Sequence, residues 1–131
     1  MPARRPESPR GPSQRQLKVG ETLRRALSDL LLRGDLHDPE LDRMSITVSE
    51  ARMSPDLRHA TVFVLPLGGV GTAEALAALE RNRPELRRML ARELQLKFAP
   101  DLRFLADESF DRMDEARRLL GSDRVRRDLE D

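Results

Sequence analysis

The sequence predicts an α+β fold with one three-stranded sheet and helices covering one face of it. Two observations support this class. Apolar residues recur at the spacing of an amphipathic helix in three stretches, at 14–33, 73–82 and 84–94. Apolar and polar residues alternate at 44–49 and again after Pro100, and a run rich in β-branched residues occupies 60–67. The expected order is therefore helix, strand, strand, helix, helix, strand.

Composition limits the chain to one folded domain. Its 131 residues are enough for a single core, and 24 basic against 23 acidic residues give a net charge of +1. The lack of cysteine excludes a disulfide framework and a thiolate metal site, and it fits a reducing cytoplasm. There is no apolar region of a signal peptide and no stretch of roughly 20 apolar residues that could span a membrane. We expect a soluble, cytoplasmic protein.

The two ends differ in composition from the middle. Residues 1–13 contain four prolines, a glycine and two serines, and such a segment cannot bury enough apolar surface to offset its ordering entropy. We expect a disordered basic arm at 1–13 and a folded domain at 14–109. Residues 110–131 are predicted to form a short amphipathic helix, with Met113, Ala116, Leu119 and Leu120 on one face, and then a disordered charged tail.

The first half of the domain is predicted to be one helix followed by a hairpin. Four leucines share one face of the helix, which Gly34 is placed to end: Leu23, Leu27, Leu30 and Leu31. Residues 35–43 read as a polar connection. The turn SPDL at 54–57 then joins the first two strands, which we expect to pair as an antiparallel hairpin.

The glycine-rich segment at 68–71 is not a P-loop. Thr72 and Ala73 follow its last glycine, where that motif requires a lysine and then a hydroxyl residue. The segment also matches GxxG, but a GxxG loop that clamps nucleotides joins two helices, whereas this one joins a strand to a helix. We interpret it as a flexible connector, with Thr72 as the cap of the following helix.

Residues 82–100 form the most informative stretch, a basic helix entered and left through prolines. Its apolar stripe must face the core and consists of Leu86, Met89, Leu90 and Leu94. Pro84 suits the first turn of a helix but disfavours helical dihedrals at the residue before it, so the preceding helix is expected to break near 81–83.

The cations around this helix are candidates for RNA binding. Of the 24 basic residues 22 are arginine, whose planar fork of five donors suits phosphate and stacks on bases. The candidate RNA-binding residues are Arg81, Asn82, Arg83, Arg87, Arg88, Arg92 and Lys97, with a second group on the first helix, Arg15, Lys18 and Arg25. With four phenylalanines and no tyrosine or tryptophan, the chain has few surfaces for base stacking, so we expect RNA binding through phosphates and shape. Phe98 is expected to pack at the entrance of the third strand.

The sequence gives little support for a catalytic site or a metal site. Asp35, His37 and Asp38 form the one cluster that resembles a metal site, and no second group follows at ligand spacing. Asp107 and Glu108 are adjacent on an extended chain, so they point to opposite faces and are interpreted as a strand end and cap. We expect no enzyme activity, no metal and no cofactor.

Three segments carry a resemblance to a known family. They are RMSITVSEARMSPDLRHATVFV at 43–64, the helix pair ALERNRPELRRML at 78–90, and KFAPDLRFLADES at 97–109. Together they resemble bacterial ribosome-binding factor A over about residues 14–120. The resemblance implies a type II KH-like fold, in which a helix–kink–helix centred on a small residue replaces the GxxG loop. Asn82 occupies the corresponding position here.

The resemblance also implies a function. It implies a monomeric factor without catalysis that binds the small (30S) ribosomal subunit and assists late maturation of 16S rRNA, notably in the cold. A basic protein-interaction module with an acidic protein partner, and a small nuclease or other enzyme, are the alternatives.

Overall fold

The computed structural model describes residues 11–67, 71–109, 113 and 115–120. Its elements are α1 (Gln14–Arg33), α2 (Pro39–Asp42), β1 (Ile46–Met53), β2 (His59–Pro66), α3 (Thr72–Arg81), α4 (Arg83–Glu93) and β3 (Asp101–Ala106). This is the predicted order with the short helix α2 added inside the polar connection. Among the described residues, none of the helices has the length and apolar character needed to cross a membrane.

Several predictions concern residues outside these ranges. The arm at 1–10, the glycine-rich segment at 68–70 and the tail at 121–131 are among them. Residues 115–120 are helical, and three large apolar side chains of this region are exposed: Met113, Leu119 and Leu120. This helix therefore contributes no buried side chain to the core described below.

The sheet has the strand order β1-β2-β3. β1 and β2 pair antiparallel, with Met53 opposite Ala60 near the turn, which confirms the predicted hairpin. The register shifts between Val48 and Glu50, so side chains on both sides of this irregularity still reach the core face. β2 and β3 pair in parallel, and parallel strands need a crossover connection, which α3 and α4 provide.

The ends of α1 and α3 are fixed by local chemistry. Ser13 and Gln16 form a capping box at the start of α1, and Gly34 ends it in the left-handed region with φ of 69°, as predicted. The predicted cap of α3 is wrong. Thr72 is the first helical residue, and the N-cap is Gly71, whose φ of 78° disfavours any residue with a Cβ.

A single core lies between the helices and one face of the sheet, as predicted. Its fully buried large side chains are Leu23, Leu27, Leu79, Leu86, Leu90, Leu102, Val48, Val62 and Val64. Leu31 is half-buried at the edge of this cluster. On the opposite face of the sheet Phe63 is half-buried, whereas Arg52 and Arg103 are exposed. Among the described residues, the helices α1 to α4 thus form one layer, and no helix or strand packs on the second face of the sheet.

Gly20 marks the place where α1 approaches β1 most closely. A Cβ at this position would lie 2.4 Å from the carbonyl oxygen of Ala51, closer than a carbon and an oxygen can approach. The helix must move away from the strand to accept any side chain here.

We therefore expect Gly20→Ala to lower the free energy of unfolding by about 1–3 kcal/mol, since forced repacking outweighs the better helix propensity of alanine, which is about 1 kcal/mol. Urea unfolding measures the change. Gly11→Ala is the control, because a Cβ there meets nothing within 4 Å. A Gly20→Ala protein as stable as the parent would contradict the close packing of α1 on β1.

Candidate RNA-binding surface

The junction between α3 and α4 changes direction without a glycine. Asn82 has φ of −96° and ψ of 5°, and its N–H contacts the carbonyls of Ala78 and Leu79 at 3.1 and 3.2 Å. Pro84 follows in the first turn of α4, where its missing N–H leaves no partner unsatisfied. The break near 81–83 predicted from the sequence is confirmed, and it involves one residue between the two helices.

A single carboxylate, that of Asp38, holds this junction. One of its oxygens, Oδ1, accepts from the backbone N–H groups of Glu40 and Leu41 and so caps α2. The other, Oδ2, accepts from Arg81 Nη2 and from Asn82 Nδ2, each at 2.8 Å. The hydrogen bond from Asn82, and then that from Arg81, lowers the pKa of Asp38 to about 2. The carboxylate is therefore ionised at neutral pH and ties α2 to the end of α3.

Two predicted RNA-binding residues are consequently engaged within the protein. Arg81 directs its Nε and Nη2 donors at Asp38, although half of its side chain remains exposed. Asn82 Nδ2 also donates to the carbonyl of Ala78 at 2.8 Å, so both of its amide hydrogens have partners. The sequence did not identify Asp38 in this role, because its two partners lie more than 40 residues away in the chain.

The outer face of α4 carries the exposed arginines. Leu86 and Leu90 are fully buried, which directs Arg88 and Arg92 away from the core. Arg88 is 71% exposed and pairs with Glu85 one turn earlier, an arrangement that contributes little stability at the surface. Arg83 pairs in the same way with Glu80 at 2.7 Å.

Arg87 faces a different direction from its neighbours. Its Nε and Nη2 donate to the carbonyls of Pro100 and Ala99, each at 3.2 Å, and its side chain is half-buried. These bonds tie α4 to the segment that leads into β3. Arg87 remains an RNA-binding prediction, but two of its donors serve this internal connection.

The second predicted group lies at the start of α1. Arg15 and Lys18 are exposed and line an open groove together with the segment that connects α4 to β3, and Lys97 belongs to this segment. The fold thus brings Arg15 and Lys18 to a groove shared with Leu96 and Phe98, which lie about 80 residues later in the sequence. Arg25 lies further along α1, and both Arg25 and Arg24 pair with Glu21. The hydrogen bond from Arg24 is the main reason that the pKa of Glu21 falls to about 2.

Phe98 corrects one expectation from the sequence. The sequence predicts that it packs at the entrance of β3, but its side chain is 78% exposed. Pro100 is buried at that entrance, and the positive φ of Gln95 turns the chain so that Phe98 projects from it. Lys97 Nζ lies 5.7 Å from the centre of the Phe98 ring, which places a cation over an exposed aromatic surface.

Asp38 and Asp107, weighed in the sequence as members of other sites, make hydrogen bonds within the fold. Within the described ranges, no three His, Asp or Glu side chains are grouped to hold a metal ion, and Asp38 serves the junction instead. Asp107 accepts from the backbone N–H of Ser109 at 2.9 Å, and its hydrogen bonds lower its pKa. It therefore caps the end of β3, as the sequence suggested.

Comparisons with known proteins agree with this architecture. The family model described as "Ribosome-binding factor A" matches residues 15–120. The chain belongs to the ribosome-binding factor A family. The relative of that name from Paracoccus denitrificans is 68% identical over 120 residues, which cover 92% of this chain and 87% of the relative.

A crystal structure and a fitted homology model of ribosome-binding factor A from Thermus thermophilus share the fold. The crystal structure has a TM-score of 0.59 and 31% identity, covering 70% of this chain and 94% of its own. The homology model was fitted into the cryo-electron microscopy map of a 30S complex with that factor, and it has a TM-score of 0.54 and 32% identity, covering 68% of this chain and 91% of its own. The KH-like fold predicted for this family member is thereby confirmed, with Asn82 at the junction of its helix pair.

The Asp38 carboxylate predicts a pH-dependent stability. Because its pKa is depressed from the ordinary value of 3.8 to about 2, it stabilises the folded state above pH 4 and loses that effect as the pH falls toward 2. We expect Asp38→Asn to lower Tm at pH 7, and the difference from the parent to shrink between pH 4 and pH 2. Differential scanning fluorimetry across this range measures it.

The control for this experiment is Asp35→Asn. Asp35 pairs with Arg33 at 3.5 Å, and both side chains are 47% exposed. Because an exposed ion pair contributes at most about 1 kcal/mol, this variant should have nearly the Tm of the parent at pH 7. A constant difference between Asp38→Asn and the parent at every pH would show that the charge of Asp38 does not hold the junction.

Proposed function

We propose that this chain binds the small (30S) ribosomal subunit through its 16S rRNA and assists late maturation of that RNA without catalysis. Membership of the ribosome-binding factor A family carries the proposal. A homology model of the relative from Thermus thermophilus was fitted into a map of its complex with the 30S subunit. The domain at 14–109 supplies the binding surface.

The exposed face of α4 supports an RNA partner. Arg88 and Arg92 lie one helical turn apart on a helix whose opposite side is locked in the core, so their positions relative to each other are fixed. The helix fixes the backbone positions from which both side chains reach phosphates, and the arginine fork bonds phosphate with two donors. The pairing of Arg88 with Glu85 is weak enough to be exchanged for a phosphate.

The proposal predicts a salt-dependent fall in affinity for the double variant Arg88→Ala/Arg92→Ala. Each arginine that bonds a phosphate in the parent should reduce the slope of log K against log salt by about 1 when it is replaced, and binding should weaken across RNA sequences. Stability should change by at most about 1 kcal/mol per residue because both side chains are exposed. Filter binding to purified 30S subunits at several salt concentrations measures the affinity and its slope.

The matched control is Arg52→Ala/Arg103→Ala. These two arginines are exposed on the face of the sheet away from the helices, so the control removes the same charge at another location. Equal losses of affinity in the two variants would mean that net charge, and not α4, determines the binding. Unchanged binding in the α4 variant would leave the start of α1 as the RNA-facing surface.

Sedimentation tests the partner itself. We expect the protein to sediment with free 30S subunits and not with 70S ribosomes, as a factor acting during assembly should. Equal sedimentation with both would contradict the assembly role. Salt-sensitive binding to 30S subunits together with no binding to a 16S rRNA fragment would favour an acidic protein partner instead.

A further inference from the structure

The groove at the start of α1 is a large feature of the surface that the proposed role of α4 does not use. It is open, has a volume of about 950 Å³, and lies between α1, the β1–β2 turn and the segment that joins α4 to β3. Such a volume is at the upper end of the range of about 300–1,000 Å³ for small-ligand sites. Its lining includes Leu17, Leu57, Leu96 and Phe98, with Arg15 and Lys18 as the charged residues.

The walls of the groove are held in place by hydrogen bonds on both sides. Gln16 Nε2 donates to the carbonyl of Met53 at 3.0 Å, which fixes the start of α1 against the end of β1. Across the groove, the N–H of Leu96 bonds to the carbonyl of Ala91 at 2.8 Å, closing α4 with Gln95 in the left-handed region. The bonds from Arg87 fix the far end of the same segment.

The exposed apolar surface is therefore a property of an ordered structure. Phe98 is 78% exposed, Leu17 52% and Leu96 41%, although hydrogen bonds anchor the backbone before and after them. Leaving an aromatic ring in water forgoes the stabilisation that its burial would give, which is regained when a partner covers it. The groove is thus ready to take a ligand without reorganisation.

Charge selects the kind of ligand. Arg15 and Lys18 line the groove and Lys97 stands beside it, while the described residues that form its lining include no carboxylate. A ligand that complements this site combines negative charge with a flat apolar surface. An unpaired nucleotide has both, because its base stacks on an aromatic ring while its phosphate meets the cations.

We infer that this groove binds unpaired nucleotides of single-stranded RNA, with Phe98 as the stacking surface and Arg15, Lys18 and Lys97 as the phosphate contacts. The inference rests on the proposed function, since it names a second RNA contact of the same protein. The groove lies at the C-terminal end of α4, about 16 Å along the helix axis from the junction at Asn82, so it is a separate contact.

The test uses the full chain and a fluorescent single-stranded oligoribonucleotide of about eight nucleotides, within the span of about 4–16 that single-strand-binding domains cover. Fluorescence anisotropy measures affinity for this strand and for the same strand annealed to its complement. We expect the single strand to bind more tightly than the duplex, and Phe98→Ala to weaken its binding about 5- to 150-fold, the range for loss of one stacked base. The salt slope should stay unchanged, because no phosphate contact is removed.

Three further variants make the result specific. Phe98→Tyr keeps an aromatic face and should retain the affinity for the single strand, whereas Phe98→Leu keeps only apolar surface and should lose it. Lys18→Ala should reduce the salt slope by about 1. Phe63→Ala is the matched control: Phe63 also has a cation near its ring, Arg52 at 4.8 Å, but it lies on the other face of the sheet, so its removal should leave RNA affinity unchanged in protein verified as folded.

The outcomes separate this inference from the proposed function. Because Phe98 is exposed, its variants should keep the Tm of the parent, so a loss of RNA binding reports on the contact. Equal single-strand affinity of Phe98→Ala and the parent, with 30S binding intact, overturns the inference alone. Loss of 30S binding in both Phe98→Ala and Phe98→Leu, but not in Phe98→Tyr, supports stacking. If Phe98→Leu keeps 30S binding while Phe98→Ala loses it, and the parent has no affinity for the oligonucleotide, the groove binds a protein partner and the inference is overturned.

Discussion

The burial of Leu86 and Leu90 fixes the rotation of α4 about its axis, and the described surface depends on that rotation. Both side chains are fully buried, and burying a leucine contributes about 1.5–3 kcal/mol, more than any exposed ion pair on this helix. Since successive residues on a helix are separated by about 100°, Arg88 is then directed to the outside and Arg87 to the side, over the carbonyls that precede β3. The core therefore decides which cations meet a partner.

The Asp38 carboxylate gives the helix junction its shape. The resemblance to the family implies a small residue at the centre of the helix pair. This chain has Asn82 there, and its amide donates to Asp38 and to a helix carbonyl. The asparagine amide thus links the junction of α3 and α4 to Asp38 and to the last turn of α3. Arg81 and Asn82 therefore make contacts within the fold, and the exposed arginines Arg88 and Arg92 lie further along α4.

The segment between α4 and β3 shows how a packed fold determines the exposure of one side chain. Arg87 holds its end by two carbonyls, and Pro100 is buried beneath it, so the chain has little freedom to fold Phe98 inward. The aromatic ring therefore remains at the surface beside Lys97. A low aromatic content argued against base stacking, but a single exposed ring in the right place is enough for one stacked base.

The sequence by itself determined the hairpin, the buried stripe of α4 and the helices other than α2, because their periodicity is set by neighbours a few residues away. The predicted ends of α1 followed from the same local chemistry, whereas the cap of α3 did not, because Gly71 and not Thr72 fills that position. Only the tertiary structure decided the bond of Asp38 to Asn82 and the meeting of Arg15 with the segment of Phe98. These groups are about 40 and 80 residues apart, and no local pattern encodes contacts that depend on how the whole core packs.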